Sequence, residues 1–350
     1  MKNKLFLYRM TILLFFSCHQ NQIKELEKIT YQQQLGRYLF YEKRVSINNT
    51  KSCASCHSIE FAFTDGYRKS VTSLGENVPH NAPSLINSVY LKYYDWANIN
   101  TTNFEQQIKR PLYNHQPIEL GLDKHIKELQ LFLKNDSLYS NLFKQAFPKT
   151  DSLFTLTQIE KAIADYETTL VSTSSNFDEN KMDSSAQNGY KLFTSNKLNC
   201  ATCHPPPYFT LATQTKNIDS VFANIGLYNV GNKNQYPAND NGIFSITKNA
   251  KDNGKFKIPS LRNVMLTAPY MHDGSIDNIE QVIDMYANGG RNIAYANNKG
   301  NGKLNKNKSN LITGFVITEN EKKDLINFLN SLTDSSIFYK HSFQNPFSKN

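Results

Sequence analysis

Cys53-Ala54-Ser55-Cys56-His57 places two thiols three residues apart with a histidine directly after them, the attachment signature of a c-type haem. The same spacing returns at Cys200-Ala201-Thr202-Cys203-His204, 147 residues further on. In each motif the sulfurs would fix the porphyrin edge as thioethers, and the adjacent imidazole would reach the iron from the same turn. What faces the iron from the other side then decides between electron transfer and peroxide chemistry. Two other readings of CxxC are weaker. A zinc site built from both pairs leaves His57 and His204 without a role, and a thioredoxin-like pair wants a βαβ unit that neither motif has around it. The sequence therefore predicts two covalently bound haems c, with His57 and His204 as iron ligands.

One motif falls in each half of the 350 residues, which fits a duplicated, two-domain plan. The 22 Phe, 19 Tyr and single Trp supply walls for flat cofactors. The net charge of +9 includes Lys2, Lys4 and Arg9 of an apparent leader, leaving +6 on the rest. Lys303, Lys306 and Lys308 cluster among Asn and Gly as a solvated loop, and no basic helix with interleaved aromatics tracks a phosphate backbone, so no nucleic-acid partner is expected. Residues 1–17 have a basic start and an apolar core over 5–16 too short to span a bilayer. They read as an export signal. Cys18, the one cysteine outside the motifs, stands where a lipoprotein signal presents its lipidated thiol, or else it is lost within an ordinary signal peptide. Both readings place the mature chain in the periplasm.

Periodicity predicts a mainly α fold. Amphipathic helices are expected over 24–41, 104–109, 124–134, 137–146, 157–172, 186–193, 278–286 and 319–332, the fifth opened by a capping box of Thr157 and Glu160. The polar stretch 174–183 is the expected domain boundary, and the Asn- and Gly-rich region 215–255 an expected haem-wrapping loop.

Five blocks go beyond the two motifs: Gln34-Leu35-Gly36-Arg37-Tyr38-Leu39-Phe40, Ala62-Phe63-Thr64-Asp65-Gly66, Asn81-Ala82-Pro83-Ser84-Leu85, Phe256-Lys257-Ile258-Pro259-Ser260-Leu261-Arg262-Asn263, and Thr267-Ala268-Pro269-Tyr270-Met271-His272-Asp273-Gly274-Ser275. With the motifs, they resemble the bacterial dihaem cytochrome c peroxidase family, its MauG-like branch included, over roughly residues 30–335.

The resemblance implies a peroxidatic haem c domain over 24–180, where peroxide reacts, and an electron-transfer haem c domain over 183–335. Gln107, Pro111 and Glu119 fall on a family block, with two extra residues between Pro111 and Glu119. Glu119 is the implied acid–base group, since cleaving an O–O bond needs a group that takes the proton from the inner oxygen and returns it to the outer one. Trp96 is the implied bridge between the haems, although Ala97-Asn98-Ile99-Asn100 departs from the family's pattern. Asn81, Thr267 and Pro269 match the residues that hold a calcium ion, whose hardness suits amide and carbonyl oxygens. His272 is the implied partner of haem propionates. Where activation-dependent members carry a histidine that closes the first iron, this chain has Ser73, so an open first haem is expected. Counting fourteen residues from His272 gives Tyr286 as distal ligand of the second haem, with Met285 the neighbouring alternative.

The expected function is reduction of hydrogen peroxide to water. Electrons from a small periplasmic donor, a cytochrome c or cupredoxin, would enter at the second haem and pass through Trp96. The alternatives are MauG-like oxidation of a protein or organic substrate and a non-catalytic dihaem carrier. A homodimer is compatible with all three.

Overall fold

The computed structural model describes residues 29–213 and 217–348. The leader and Cys18, with the readings made of them, lie outside the described residues. Helix α1 (Tyr31–Tyr41) is followed by α2 (Phe104–Tyr113), α3 (Ile126–Asn135), α4 (Ser137–Ala146), α5 (Leu156–Glu167) and α6 (Ser184–Thr194). The single turns α7 (Ile218–Val221) and α8 (Phe244–Thr247) precede α9 (Ile279–Ala287) and α10 (Glu319–Ser331). Strand β1 (Phe222–Ala223) pairs antiparallel with β2 (Phe256–Lys257), Phe222 opposite Lys257, and β3 (Asn292–Ile293) pairs with β4 (Gly300–Asn301). Among the described residues no helix is long and apolar enough to cross a membrane.

Side-chain caps set where two of the helices begin. Helix α1 begins at Tyr31 because Thr30 and Gln33 form a capping box, their reciprocal bonds 3.1 and 2.9 Å long. Helix α5 is opened by Thr155 and Gln158, not by Thr157 and Glu160, and it ends at Glu167. Glu160 is committed elsewhere, accepting the Tyr113 hydroxyl at 2.6 Å.

Each haem motif follows one member of a tightly crossed helix pair. Helix α1 packs on α5 at Gly36, where an added Cβ would lie 1.8 Å from the Ala162 carbonyl oxygen. Helix α6 packs on α10 at Gly189, where the same addition would come 2.0 Å from the Asp324 carbonyl oxygen. Only glycine lets the backbones approach so closely. The first core gathers Leu35, Leu39 and Phe40 of α1 with Ile159, Ile163 and Tyr166 of α5. The second gathers Phe193, Phe209, Ile283, Leu325 and Phe328.

Residues beyond the second core return to the first. Ile337 and Phe343 are buried in it, and the Phe343 ring meets Phe63 edge-on at 5.7 Å. No periodicity marks this return, because the segment is built from short 3-10 turns, Ser335–Tyr339 and His341–Phe343. Between the cores, the 91–99 stretch packs against second-half residues, with Tyr93 edge-on to Phe222 at 5.4 Å.

Candidate active site

The two motifs adopt the same local structure. Cys53–Ser55 and Cys200–Thr202 are 3-10 turns, after which the His57 and His204 amides each donate to the carbonyl of the motif's first cysteine at 3.0 Å. His57 Nδ1 lies 2.8 Å from the Phe63 carbonyl oxygen, and His204 Nδ1 lies 3.0 Å from that of Phe209. A carbonyl only accepts, so Nδ1 carries the proton and the Nε2 lone pair is free, the form an iron-ligating imidazole takes. Burial lowers both histidine pKa values and keeps the rings neutral. Phe63 and Phe209 have φ of 60° and 52°, a left-handed turn that bulky residues rarely adopt. Ser84 and Ser260, from the matching Pro-Ser-Leu blocks, pin the preceding carbonyls of Ala62 and Tyr208 at 2.6 and 2.7 Å.

These sites fit covalent haem. All four motif cysteines are unpaired, and burial pushes Cys56 up to about 11 and Cys200 up to about 12. Sulfurs so placed resist ionisation and suit uncharged thioethers. A largely apolar cavity of about 320 Å³ opens beside the second motif, lined by Cys200, Cys203, His204, Leu261 and Phe315. His272 also lines it, stacked on Phe256 at 3.5 Å. Its Nε2 lies 3.3 Å from Asp240 Oδ2 but off line, and stays without a hydrogen bond. Such an orphaned buried nitrogen is what an acidic haem edge would satisfy.

Tyr286 and Met285 separate clearly. Tyr286 lines the cavity with His204, and burial raises its phenol above the ordinary range. Met285, about 100° away round α9, packs among Leu227, Tyr228 and Ile276 and lines a different, more open cavity with Arg291.

Around the first motif, Glu119 is half-buried, and burial raises its carboxyl above the ordinary range against the Asn114 hydrogen bond and the Arg110 charge. Its charge reaches Cys56. The Leu120 amide donates to the Pro111 carbonyl at 3.0 Å, which ties this block to α2. Gln107 lies one turn before Pro111 on the same helix, half-buried. Proline at 111, Gln107 and Glu119 are thus carried on connected backbone.

Trp96 lies at the seam between the halves. Its indole N–H donates to the Asn81 carbonyl at 2.8 Å, and the Asn81 amide donates to the His272 carbonyl at 2.8 Å. Asn81, Thr267 and Pro269 line the second-motif cavity together with Trp96. The Asn81 side-chain Nδ2 donates to the Tyr67 carbonyl, and the Thr267 hydroxyl to that of Val264. Asn81 Oδ1 and the Thr267 and Pro269 carbonyl oxygens accept no hydrogen bond among the described residues. Amide and carbonyl oxygens of this kind are the ligands that a calcium ion takes.

Two buried charges escaped the sequence reading. Glu167, 4% exposed near Cys53, has a carboxylate oxygen without a partner, and burial pushes it up to about 8. Lys257, 5% exposed, is pushed down to about 8 by burial. A lysine between Phe256 and Ile258 in an apolar block was the available signal.

The profile of the di-haem cytochrome c peroxidase family matches residues 30–186. The chain is similar to the cytochrome-c peroxidase IdrP1 of Pseudomonas sp. (strain SCT), at 30% identity over 86% of this chain and 80% of that protein. It is similar to the methylamine utilization protein MauG of Methylorubrum extorquens, at 28% identity over 85% of this chain and 77% of that one. The crystal structure of a MauG-like protein associated with microbial copper homeostasis superposes with a TM-score of 0.87, at 38% identity, covering 92% of this chain and 95% of that one. The chain therefore belongs to the di-haem cytochrome c peroxidase family, as an oxidoreductase with two c-type haems in a mainly helical fold of two cytochrome c-like domains.

Proposed function

We propose that this protein consumes hydrogen peroxide at its first haem and draws the two electrons required through its second haem from a protein or small organic substrate, in the MauG-like manner. The observation that carries this reading is Tyr286, which shares the second-motif cavity with His204 while Met285 packs elsewhere. A phenolate ligand and a thioether ligand tune a haem iron differently. When bound, the haems supply the redox chemistry, so that peroxide, two electrons and two protons give two waters. Glu119 takes the proton from the inner peroxide oxygen and returns it to the outer one, Gln107 orients the peroxide, and Trp96 links the two haem sites. On this reading 24–180 is the peroxidatic domain and 183–335 the electron-transfer domain. His272 holds haem propionates, a calcium ion sits between the domains on Asn81, Thr267 and Pro269, and the protein works in the periplasm, anchored through a lipidated Cys18.

The second reading, peroxide reduction at the expense of a small electron-donor protein, is favoured by the likeness to a cytochrome-c peroxidase over most of the chain. Stopped-flow mixing of the fully ferric protein with peroxide separates the two. An immediate spectral change without added reductant, followed by oxidation of an added protein substrate, supports the first. A ferric protein inert until it has taken up one electron supports the second.

A further inference from the structure

The stretch Tyr94-Asp95-Trp96 is held from both sides. The Lys257 backbone amide donates to the Trp96 carbonyl at 2.8 Å, and Lys257 Nζ donates to the Tyr94 carbonyl at 2.5 Å. One residue of the second half thus grips both carbonyls that flank Asp95. The Asp95 side chain turns toward the first half, where it pairs with Arg110 at 2.9 Å and accepts the Thr101 hydroxyl at 2.6 Å. Arg110 belongs to α2, the helix that carries Gln107, and its charge acts on Glu119. On the other side Lys257 lines the cavity of the second motif.

We infer that Lys257 is a positioning residue that sets the placement of the Trp96 indole between the two haem sites and, through Asp95 and Arg110, the surroundings of Glu119. The inference rests on the reading of Trp96 as the link between those sites.

The chemistry favours an active clamp over ordinary packing. Burying an ammonium is costly unless its donors are used. Among the described residues Lys257 forms no ion pair: Asp95, whose charge acts on it, is committed to Arg110 and Thr101. A methionine or leucine of similar volume would fill the same space without that cost. What the ammonium adds is a directed bond to the Tyr94 carbonyl, at the end of a side chain whose own backbone already fixes Trp96. The two contacts together define the path of the tripeptide, which a single contact would leave free to pivot.

Trp96 is the single tryptophan of the chain, so its ultraviolet resonance Raman bands report one side chain. In the holoprotein, Lys257→Met should shift the indole N–H band toward a weaker hydrogen bond, because the Asn81 contact depends on the placement of the tripeptide. After flash reduction, electron equilibration between the haems should slow by about 10- to 100-fold, the scale of a misplacement of about 1 Å. Haem content should be unchanged, and Lys257→Arg, which keeps a cationic donor, should recover most of both signals. Unaltered indole bands and equilibration in Lys257→Met would overturn the inference. If Lys257→Met does not retain its haems, Lys257→Gln, which keeps a neutral donor of shorter reach, takes its place with the same two outcomes. Trp96→Phe separates the inference from the reading beneath it: undisturbed equilibration in that variant removes Trp96 as the link, while the Raman shift still decides whether Lys257 positions the indole.

Discussion

Ser73 donates both its backbone amide and its hydroxyl to the carbonyl oxygen of Glu119, at 3.0 and 2.8 Å. The loop that holds Ser73 is therefore tied, through a buried serine, to the backbone of the candidate acid. The loop and the carboxyl are one mechanical unit. Glu119→Gln should keep both haems attached and slow the reaction with peroxide by about two to four orders of magnitude. Stopped-flow absorbance measures this step without any electron donor, and equal rates would remove Glu119 from the chemistry. As a base Glu119 must be ionised, and burial raises its pKa. The peroxide rate should thus fall, as pH is lowered, at a higher pH than an exposed carboxylate would give. In Glu119→Gln that acid limb should vanish.

Tyr286→Phe should change the ferric electron paramagnetic resonance and absorption spectra of the second haem and leave the first untouched. Met285→Leu should leave both spectra alone, since Met285 packs among Leu227 and Tyr228, away from His204. The opposite pattern would make Met285 the ligand.

Exhaustive chelation should shift the spectra of both haems together, because Asn81 and the pair Thr267 and Pro269 come from opposite halves and Asn81 also receives the Trp96 indole. Asn81→Ala should reproduce the shift and abolish the metal found by elemental analysis. A protein that contains no calcium and is indifferent to chelator would rule the ion out.

The folded state holds the Glu167 proton up to about pH 8, against a usual value of 4.5. Between those values the folded chain binds more protons than the unfolded one, so this residue's contribution to stability falls as pH rises through that window. Glu167→Gln removes the dependence. Its Tm relative to wild type should therefore climb between about pH 5 and pH 8 and level off above that range. A constant difference across that range would show that Glu167 is ionised when folded.

The haem motifs were legible because the chemistry requires Cys, Cys and His within one turn of contiguous chain. Helix existence was legible for the same reason, since periodicity is local. Cap register was less so: Thr155 with Gln158 and Thr157 with Glu160 both fit the pattern, and the structure chooses the first because Glu160 is needed by Tyr113. Lys257 and Glu167 were out of reach in a stronger sense. Their burial is created by segments far away in sequence; the apolar neighbours Phe256 and Ile258 hint at it for Lys257, and no such hint surrounds Glu167. Tyr286 and Met285 differ by one position, so spacing alone leaves both open, and the cavity lining that includes Tyr286 with His204 depends on how α9 packs.

The return of Ile337 and Phe343 to the first core has a consequence for the order of maturation. A ribosome delivers the first haem motif nearly three hundred residues before Phe343, and until that ring arrives Phe63, whose carbonyl orients His57, lacks one of its walls. The half made first is thus the half sealed last. The enzymes that attach haem would meet the first motif in an unsealed core and the second in one already complete, so a chain cut after Leu332 should load its second site normally and its first site poorly, in a ratio that mass spectrometry of the haem peptides can read.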